Sequence, residues 1–227
     1  MTDIHTDHRS AIVAACRQLE RDGLNRGASG NVSVRAGQDM LITPSAVGYD
    51  ALLPEMIARM PLADPNGAWH GPRKPSSEWR FHRDILRARP DIGAVVHTHA
   101  PFSTILAVAR RPIPAIHYMI AAFGGPEIRV AGYARYGTAA LSENVVAAMD
   151  GRNGCLMANH GMVVGGPDLT RALWLAGELE ALAHQYYHAL AIGGGHVLTD
   201  AEIAETAEGF ASYGVQSADA ESQEEQA

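Results

Sequence analysis

Two histidines separated by a single residue are the first chemistry-bearing feature of the chain. His97 and His99 stand in "GAVVHTHA", at the end of an apolar run that is typical of a buried strand. Residues i and i+2 of a strand point to the same side, so both imidazoles can reach one ion. Zinc takes imidazole nitrogens at about 2.0–2.1 Å. The pair therefore indicates a metal site, although two hydrogen-bonded core histidines would leave the same pattern.

A third histidine and an acid could complete such a site. His160 lies in the middle of a second apolar run, "GCLMANHGMVVGG", which is most simply one buried strand. An unpaired imidazole in that position would be costly, so it needs a partner. Three imidazoles would leave one coordination position open, as a catalytic zinc ion requires. Glu78, in "KPSSEWRFH", could hold the ion and exchange protons, or it could be a first-turn glutamate that the helix dipole favours.

Two segments have the composition of anion sites. Ser76 and Ser77 precede Glu78 at a predicted helix start, where free N–H groups suit a phosphate or carboxylate, although the sequence alone favours simple helix capping over an anion site. The glycine-rich turn "NRGASGNVSVR" could also cradle an anion, with Asn31 as a side-chain donor. It matches neither a Walker loop nor a dinucleotide-binding fingerprint.

Helices and strands that alternate along the chain must position these groups. Helical periodicity or capping signals cover residues 6–22, 76–89, 168–192 and 199–214, and alternating strands are predicted at 30–35 and 39–44. No repeat or linker-like segment interrupts the pattern. It predicts one α/β domain, and periodicity leaves the strand directions open.

Composition excludes several functional classes. The chain has 227 residues, 47% of them apolar and 19% charged, and a formal net charge of −7, which argues against a nucleic-acid or anionic-membrane partner. Neither a run of 18 apolar residues nor a signal peptide is visible, and the distant Cys16 and Cys155 predict reduced thiols in the cytoplasm. Residues 215–227 carry four acids and no base, which predicts an acidic, disordered tail.

Taken together, several motifs resemble those of the class II aldolase/adducin family. "GASGNVSVR", "LITPSAVGYDAL", "KPSSEWRFH", "AVVHTHA", "AIHYMIAAFGG" and "NHGMVV" occur in the order and spacing of that family, over about residues 8–214. The resemblance implies a three-layer α/β/α sandwich around a mostly antiparallel sheet, in a single domain over residues 1–214. It also implies a homotetramer with active sites between subunits.

The resemblance assigns roles to individual residues. It implies a zinc ion, with Mn²⁺ or Co²⁺ as alternatives, held by His97, His99 and His160. Glu78 would be the resting fourth ligand, which leaves the ion and becomes the catalytic acid/base. The resemblance also implies a phosphate pocket formed by Asn31, Ser45, Ala46, Ser76 and Ser77. Two tyrosines would be catalytic, Tyr118 from an adjacent subunit and Tyr213 near the C-terminus. Tyr136 would lie at the aldehyde end of the substrate.

Three positions depart from the family pattern at the two ends of the substrate. Ala28 replaces a phosphate-facing threonine, Ala46 replaces a turn glycine, and Tyr136 replaces a phenylalanine of the aldehyde pocket. The implied reaction is reversible cleavage of a ketose 1-phosphate to dihydroxyacetone phosphate and a small aldehyde. The substrate would be L-fuculose 1-phosphate or a 5-deoxy- or 5-methylthio-pentulose 1-phosphate. Alternatives are a pentulose-phosphate 4-epimerase, a decarboxylase, and a non-catalytic adducin-like interaction module, which would have lost the metal ligands.

Overall fold

The computed structural model describes residues 4–212, and these form a seven-stranded sheet, a two-stranded sheet and six α-helices. Tyr213, the boundary predicted at residue 214 and the predicted tail over 215–227 lie outside the described residues. The elements are α1 (Ile4–Arg21), β1 (Asn31–Ala36), β2 (Asp39–Ile42), β3 (Ala58–Pro61), α2 (Trp79–Ala88), β4 (Ala94–Thr98), α3 (Pro101–Val108), β5 (Ile113–Pro114), β6 (Glu127–Ile128), β7 (Val130–Ala131), α4 (Ala139–Ala148), β8 (Gly154–Met157), β9 (Gly161–Gly166), α5 (Leu169–Ala191) and α6 (Asp200–Ser212), with short 3₁₀ helices at Pro54–Met56 and Tyr118–Phe123.

The large sheet has the strand order β3-β2-β1-β4-β9-β8-β7. Five of its six strand pairs are antiparallel, and the β7–β8 pair at one edge is parallel. The predicted α/β fold is therefore confirmed, and its sheet is mostly antiparallel but mixed, with one parallel pair at the edge. β4, the strand that carries His97, lies at the centre, and all five of its residues are buried.

Each face of the sheet packs against its own group of helices. Alternate residues of β4 point to opposite faces, so Val96 joins one apolar core and Val95 joins the other. Helices α1, α3 and α5 cover the face of Val96, while α2 and α4 pack together over the face of Val95. His97 is two residues from Val95 and therefore points towards α2.

Helix α2 begins later than the capping signal predicted. Glu78, not a serine, occupies the N-cap position, and its side chain makes no capping hydrogen bond. Ser76 instead stabilises the preceding turn, because its Oγ accepts a hydrogen bond from the Glu78 N–H and its carbonyl accepts one from the Trp79 N–H. The Glu78 carboxylate is thus left available to turn towards the sheet.

The single strand predicted over "GCLMANHGMVVGG" is wrong. The segment forms a hairpin of β8 and β9, and His160 lies in the turn between them rather than inside a strand. Asn159 allows the reversal with a left-handed φ of 56°, a conformation that asparagine tolerates better than most residues. Its amide N–H donates to the Ala107 carbonyl, and its side chain accepts from Arg110. Apolar residues on both sides of Asn159 and His160 favour one continuous strand, although the polar centre is also compatible with a turn.

Candidate metal centre

Strand β4 fixes His97 at the centre of the candidate site. His97 is fully buried, and its Nδ1 lies 2.8 Å from the carbonyl oxygen of Met162 on the neighbouring strand β9. Because a carbonyl only accepts, Nδ1 carries the proton and the lone pair lies on Nε2. The backbone of an adjacent strand therefore sets the His97 tautomer that a metal ion needs.

His99 and His160 converge on the same point from two chain turns. His99 follows the end of β4, and His160 comes from the β8–β9 turn. The ring centroids of the three histidines are 4.8–5.0 Å apart, and one nitrogen from each ring lies within 4.8 Å of the others. Gly161 makes this approach possible, since a Cβ there would lie 2.5 Å from the Thr98 carbonyl oxygen and 2.9 Å from the His99 ring. The end of β4 and the β8–β9 turn thus deliver their imidazoles to one place.

The Glu78 carboxylate closes the cluster from the start of α2. Its Oε2 lies 3.4 Å from His97 Nε2, and its Oε1 lies 3.2 Å from His160 Nε2. The His160 contact is not aligned as a hydrogen bond, so Oε1 has no such partner among the described residues. Oε2 accepts one from the Asn31 amide at 2.9 Å. One buried carboxylate and three imidazoles therefore face a common centre.

This donor set fits a divalent ion. His97 Nε2, His99 Nε2 and Glu78 Oε1 are buried polar atoms without a hydrogen-bond partner in the described part of the chain. Unpartnered buried polar atoms are costly, and a cation would satisfy all three of these atoms together. Three nitrogens and one carboxylate oxygen are typical zinc ligands.

The protonation states also suit a cation. Burial lowers the pKa of His97 to about 4, although the Glu78 carboxylate opposes that effect, and burial also lowers the pKa of His99. Burial by itself raises the pKa of Glu78, but the His97 and His160 rings and the Asn31 amide outweigh it and hold that pKa well below its usual range. At neutral pH, His97 and His99 are therefore uncharged and Glu78 is ionised, as metal binding requires.

A cavity of about 450 Å³ opens beside the cluster and could admit a small substrate. Glu78, His99 and His160 line it together with Ser77, which lies just before α2. The other lining residues are Ser29, Tyr133, Ala134, Arg135, Tyr136 and Asn159. The space thus connects the histidine cluster with a helix start and with tyrosine rings.

The remaining sequence-predicted residues lie in different environments. Tyr136 lines this cavity and is 62% exposed. The Ser45 hydroxyl donates to the Pro75 carbonyl, and Ala46 has a left-handed φ of 58°, which is the strain expected where the family pattern has glycine. Tyr118 is half exposed, stacks on His117 and borders a different cavity beside α6. A single chain therefore does not bring Tyr118 to the histidines.

Comparison with known proteins agrees with this geometry. Residues 10–187 match the model of the family described as Class II Aldolase and Adducin N-terminal domain. The chain belongs to the class II aldolase and adducin family. It is 52% identical over 206 residues to the 5-methylthioribulose-1-phosphate/5-deoxyribulose-1-phosphate aldolase of Rhodospirillum rubrum, which covers 91% of this chain and 92% of that protein. It is 46% identical to the L-fuculose phosphate aldolase of Escherichia coli K12, over 90% and 94% of the two chains.

A solved structure of an L-fuculose 1-phosphate aldolase shares the fold. Its TM-score is 0.88 at 38% sequence identity, and the match covers 92% of this chain and all of that one. The family resemblance read from the motifs is thus confirmed, and so is the class II aldolase fold.

The candidate metal centre of this chain also includes two nearby residues to which sequence reasoning assigned no role, Ser33 and His82. The signal for His82 was present, since it lies four residues after Glu78 on the buried side of α2.

Proposed function

We propose that this member of the family is a metal-dependent aldolase that reversibly cleaves a ketose 1-phosphate to dihydroxyacetone phosphate and a small aldehyde. The relatives bear out the sequence prediction of a ketose-1-phosphate aldolase. The convergence of His97, His99 and His160 beside the buried Glu78 carboxylate carries the proposal. An adducin-like interaction module would have no reason to keep these buried, unpartnered donor atoms together.

Zinc is the ion that this donor set favours, with Mn²⁺ or Co²⁺ as alternatives. His97, His99 and His160 would hold it, and Glu78 would be the fourth ligand at rest. A bound divalent ion would stabilise the negative charge that builds on the two oxygens next to the breaking carbon–carbon bond.

Glu78 would move the proton that this reaction requires. Its Oε2 accepts one hydrogen bond from Asn31, while Oε1 has no hydrogen-bond partner in the described part of the chain. Away from His97 and His160, Glu78 would lose the effect of these two rings, which lowers its pKa, and keep the burial that raises it, so its pKa would rise. A carboxyl with a higher pKa is able to donate as well as accept a proton near neutral pH.

The other predicted residues would bind the two ends of the substrate. Asn31, Ser45, Ala46, Ser76 and Ser77 would form the phosphate pocket, with Ser77 at the edge of the cavity where α2 begins. Tyr136 would contact the aldehyde end, which suits a methyl or methylthio substituent because sulfur packs favourably near aromatic rings. Binding energy from these remote groups would orient the reacting carbons.

The active enzyme would be a homotetramer with sites between subunits. Tyr118 is half exposed and borders a different cavity from the histidines, so it would act in a neighbouring subunit's site, and Tyr213 would assist there. Ile105 and Val108 leave apolar surface exposed on α3, as a subunit interface requires.

We also place the enzyme in the cytoplasm, because Cys16 and Cys155 are both free and buried. None of the helices between residues 4 and 212 is both long and apolar enough to cross a bilayer.

A panel of ketose 1-phosphates tests the proposal. The purified protein is incubated with L-fuculose 1-phosphate, 5-deoxyribulose 1-phosphate or 5-methylthioribulose 1-phosphate, with and without a chelator, and released dihydroxyacetone phosphate is measured. We expect release from at least one substrate, loss of release with the chelator, and recovery when zinc is added. Isomerised pentulose phosphate without free aldehyde would instead identify an epimerase, and release unaffected by the chelator would contradict the metal's role.

A further inference from the structure

A chain of buried polar side chains runs from the middle of the sheet to the Glu78 carboxylate. The Ser33 hydroxyl lies 2.7 Å from His82 Nδ1, and Asn31 Nδ2 lies 2.9 Å from Glu78 Oε2. Between these two contacts, His82 Nε2 makes a short hydrogen bond with Asn31 Oδ1. Ser33 and His82 are fully buried and Asn31 is 4% exposed, so water does not compete for these contacts.

The chemistry of the four groups fixes the direction of every hydrogen bond. An ionised Glu78 only accepts, so the NH₂ group of Asn31 must face it and the amide oxygen must face His82. That oxygen also only accepts, so His82 carries its proton on Nε2. A neutral imidazole has one N–H, which makes Nδ1 the acceptor of the Ser33 hydroxyl. The donors therefore all point towards Glu78.

Two regular elements hold the chain in place. Asn31 and Ser33 are i and i+2 on β1, so both face α2, and Asn31 is directly opposite His97 in the β1–β4 register. Glu78 and His82 are i and i+4 at the start of α2, so they lie on the same side of it. A group held by a packed strand and a packed helix keeps its geometry more closely than one on a loop.

We propose that His82 is a positioning residue, which fixes the Asn31 amide and through it the Glu78 carboxylate. The proposal rests on the proposed function, in which Glu78 is the acid/base, and His82 itself touches no substrate. Without the His82 N–H, the buried Asn31 oxygen would have no donor, and the Asn31 side chain would no longer be held in its present position. The carboxylate would then lose the one hydrogen bond that anchors it.

Two substitutions separate positioning from bulk stability. His82→Leu removes the N–H, and we expect kcat to fall about 10- to 100-fold with zinc content little changed, the usual scale for residues that orient ligands. The acidic limb of the kcat–pH profile should move to higher pH, because Glu78 loses a hydrogen bond to its charged form. His82→Gln places an amide N–H near the original Nε2 position, so it should restore most of kcat.

A matched control removes a buried hydroxyl elsewhere. Ser142 is 1% exposed and lies 2.6 Å from Asp84 on the same side of the sheet, so Ser142→Ala should lower stability without moving the pH profile. If His82→Leu behaves like that control, or His82→Gln is no better than His82→Leu, the positioning role is wrong.

The tautomer of His82 gives a test that needs neither metal nor turnover. In the metal-free wild-type protein with ¹⁵N-labelled histidine, NMR should report His82 with its proton on Nε2. A proton on Nδ1 would overturn the hydrogen-bond chain even if the variants do not fold. A wild-type protein inactive on every ketose 1-phosphate would refute the proposed function instead, and the tautomer would still decide the direction of the chain.

Discussion

Replacing Glu78 with glutamine tests the acid/base assignment with little disturbance of packing. Glutamine has almost the same volume, and its carbonyl oxygen can still accept the Asn31 hydrogen bond now made by Oε2. Its NH₂ group would occupy the position of Oε1, 3.2 Å from His160. The Asn31 hydrogen bond changes from charge-assisted to neutral, which should cost about 1–2 kcal/mol of unfolding free energy, so the variant should fold.

The expected loss of turnover follows from the composition of the cavity. General acid–base catalysis typically contributes about 10²–10⁴-fold. Among the described residues that line the cavity, Glu78 is the one carboxyl group, so no neighbour can take over its role. We therefore expect kcat to fall by about 10³–10⁴-fold, equivalent to roughly 4–5.5 kcal/mol in the activation free energy.

The assay measures dihydroxyacetone phosphate release from the best substrate, with zinc content determined on the same samples. Glu180→Gln is the control, because the Glu180 carboxylate accepts hydrogen bonds from the Phe102 and Ser103 backbone and lies outside the cavity lining. That variant should lose stability and keep kcat. Wild-type turnover by Glu78→Gln with full zinc content would refute the reasoning.

Three further predictions concern the metal, the backbone and pH. His97→Ala should lose the ion, and stoichiometric zinc in that variant would contradict the assignment. Gly161→Ala should cost about 1–3 kcal/mol of stability and weaken zinc binding, because its Cβ would collide with the Thr98 carbonyl. Gly177→Ala in α5, where a Cβ meets nothing within 4 Å, should instead add about 0.5–1 kcal/mol. In the metal-free protein, burial lowers the pKa of His82 from 6.5 to about 3. Between these two pH values the unfolded state therefore binds more protons than the folded state. The free energy of unfolding that is present above pH 6.5 is consequently lost as the pH falls. In urea titrations, the free energy of unfolding of His82→Gln should fall between pH 7 and pH 5 by on the order of 2 kcal/mol less than that of the wild type. An equal fall in the two proteins would contradict this prediction.

Local patterns indicated the groups that we propose to do chemistry and many of the elements that hold them. The i, i+2 spacing of His97 and His99 depended only on the alternation of a strand, which is a property of the backbone itself. Helix α5 begins where its cap predicted, since the Asp168 carboxylate accepts from the Arg171 N–H three residues on. Motif order and spacing were also sufficient to indicate the family, which the comparisons confirmed.

The tertiary structure decided what local patterns could not. The turn at Asn159 and His160 interrupts a run whose residues are almost all buried on both sides, and a polar pair inside such a run does not by itself separate a turn from a strand. Glu78, rather than a serine, takes the N-cap position of α2, and its carboxylate lies beside the histidines, a contact with partners 19 and 82 residues away.

What the sequence by itself determined was therefore the kind of chemistry, namely imidazoles and a carboxylate suited to a divalent ion. Only the fold decided how these groups are held: the β1–β4 register sets Asn31 opposite His97, and the packing of α2 brings His82 onto Asn31. Such contacts depend on pairing between distant segments. No local propensity specifies that pairing, because it is fixed only when strands and helices bury their apolar faces together.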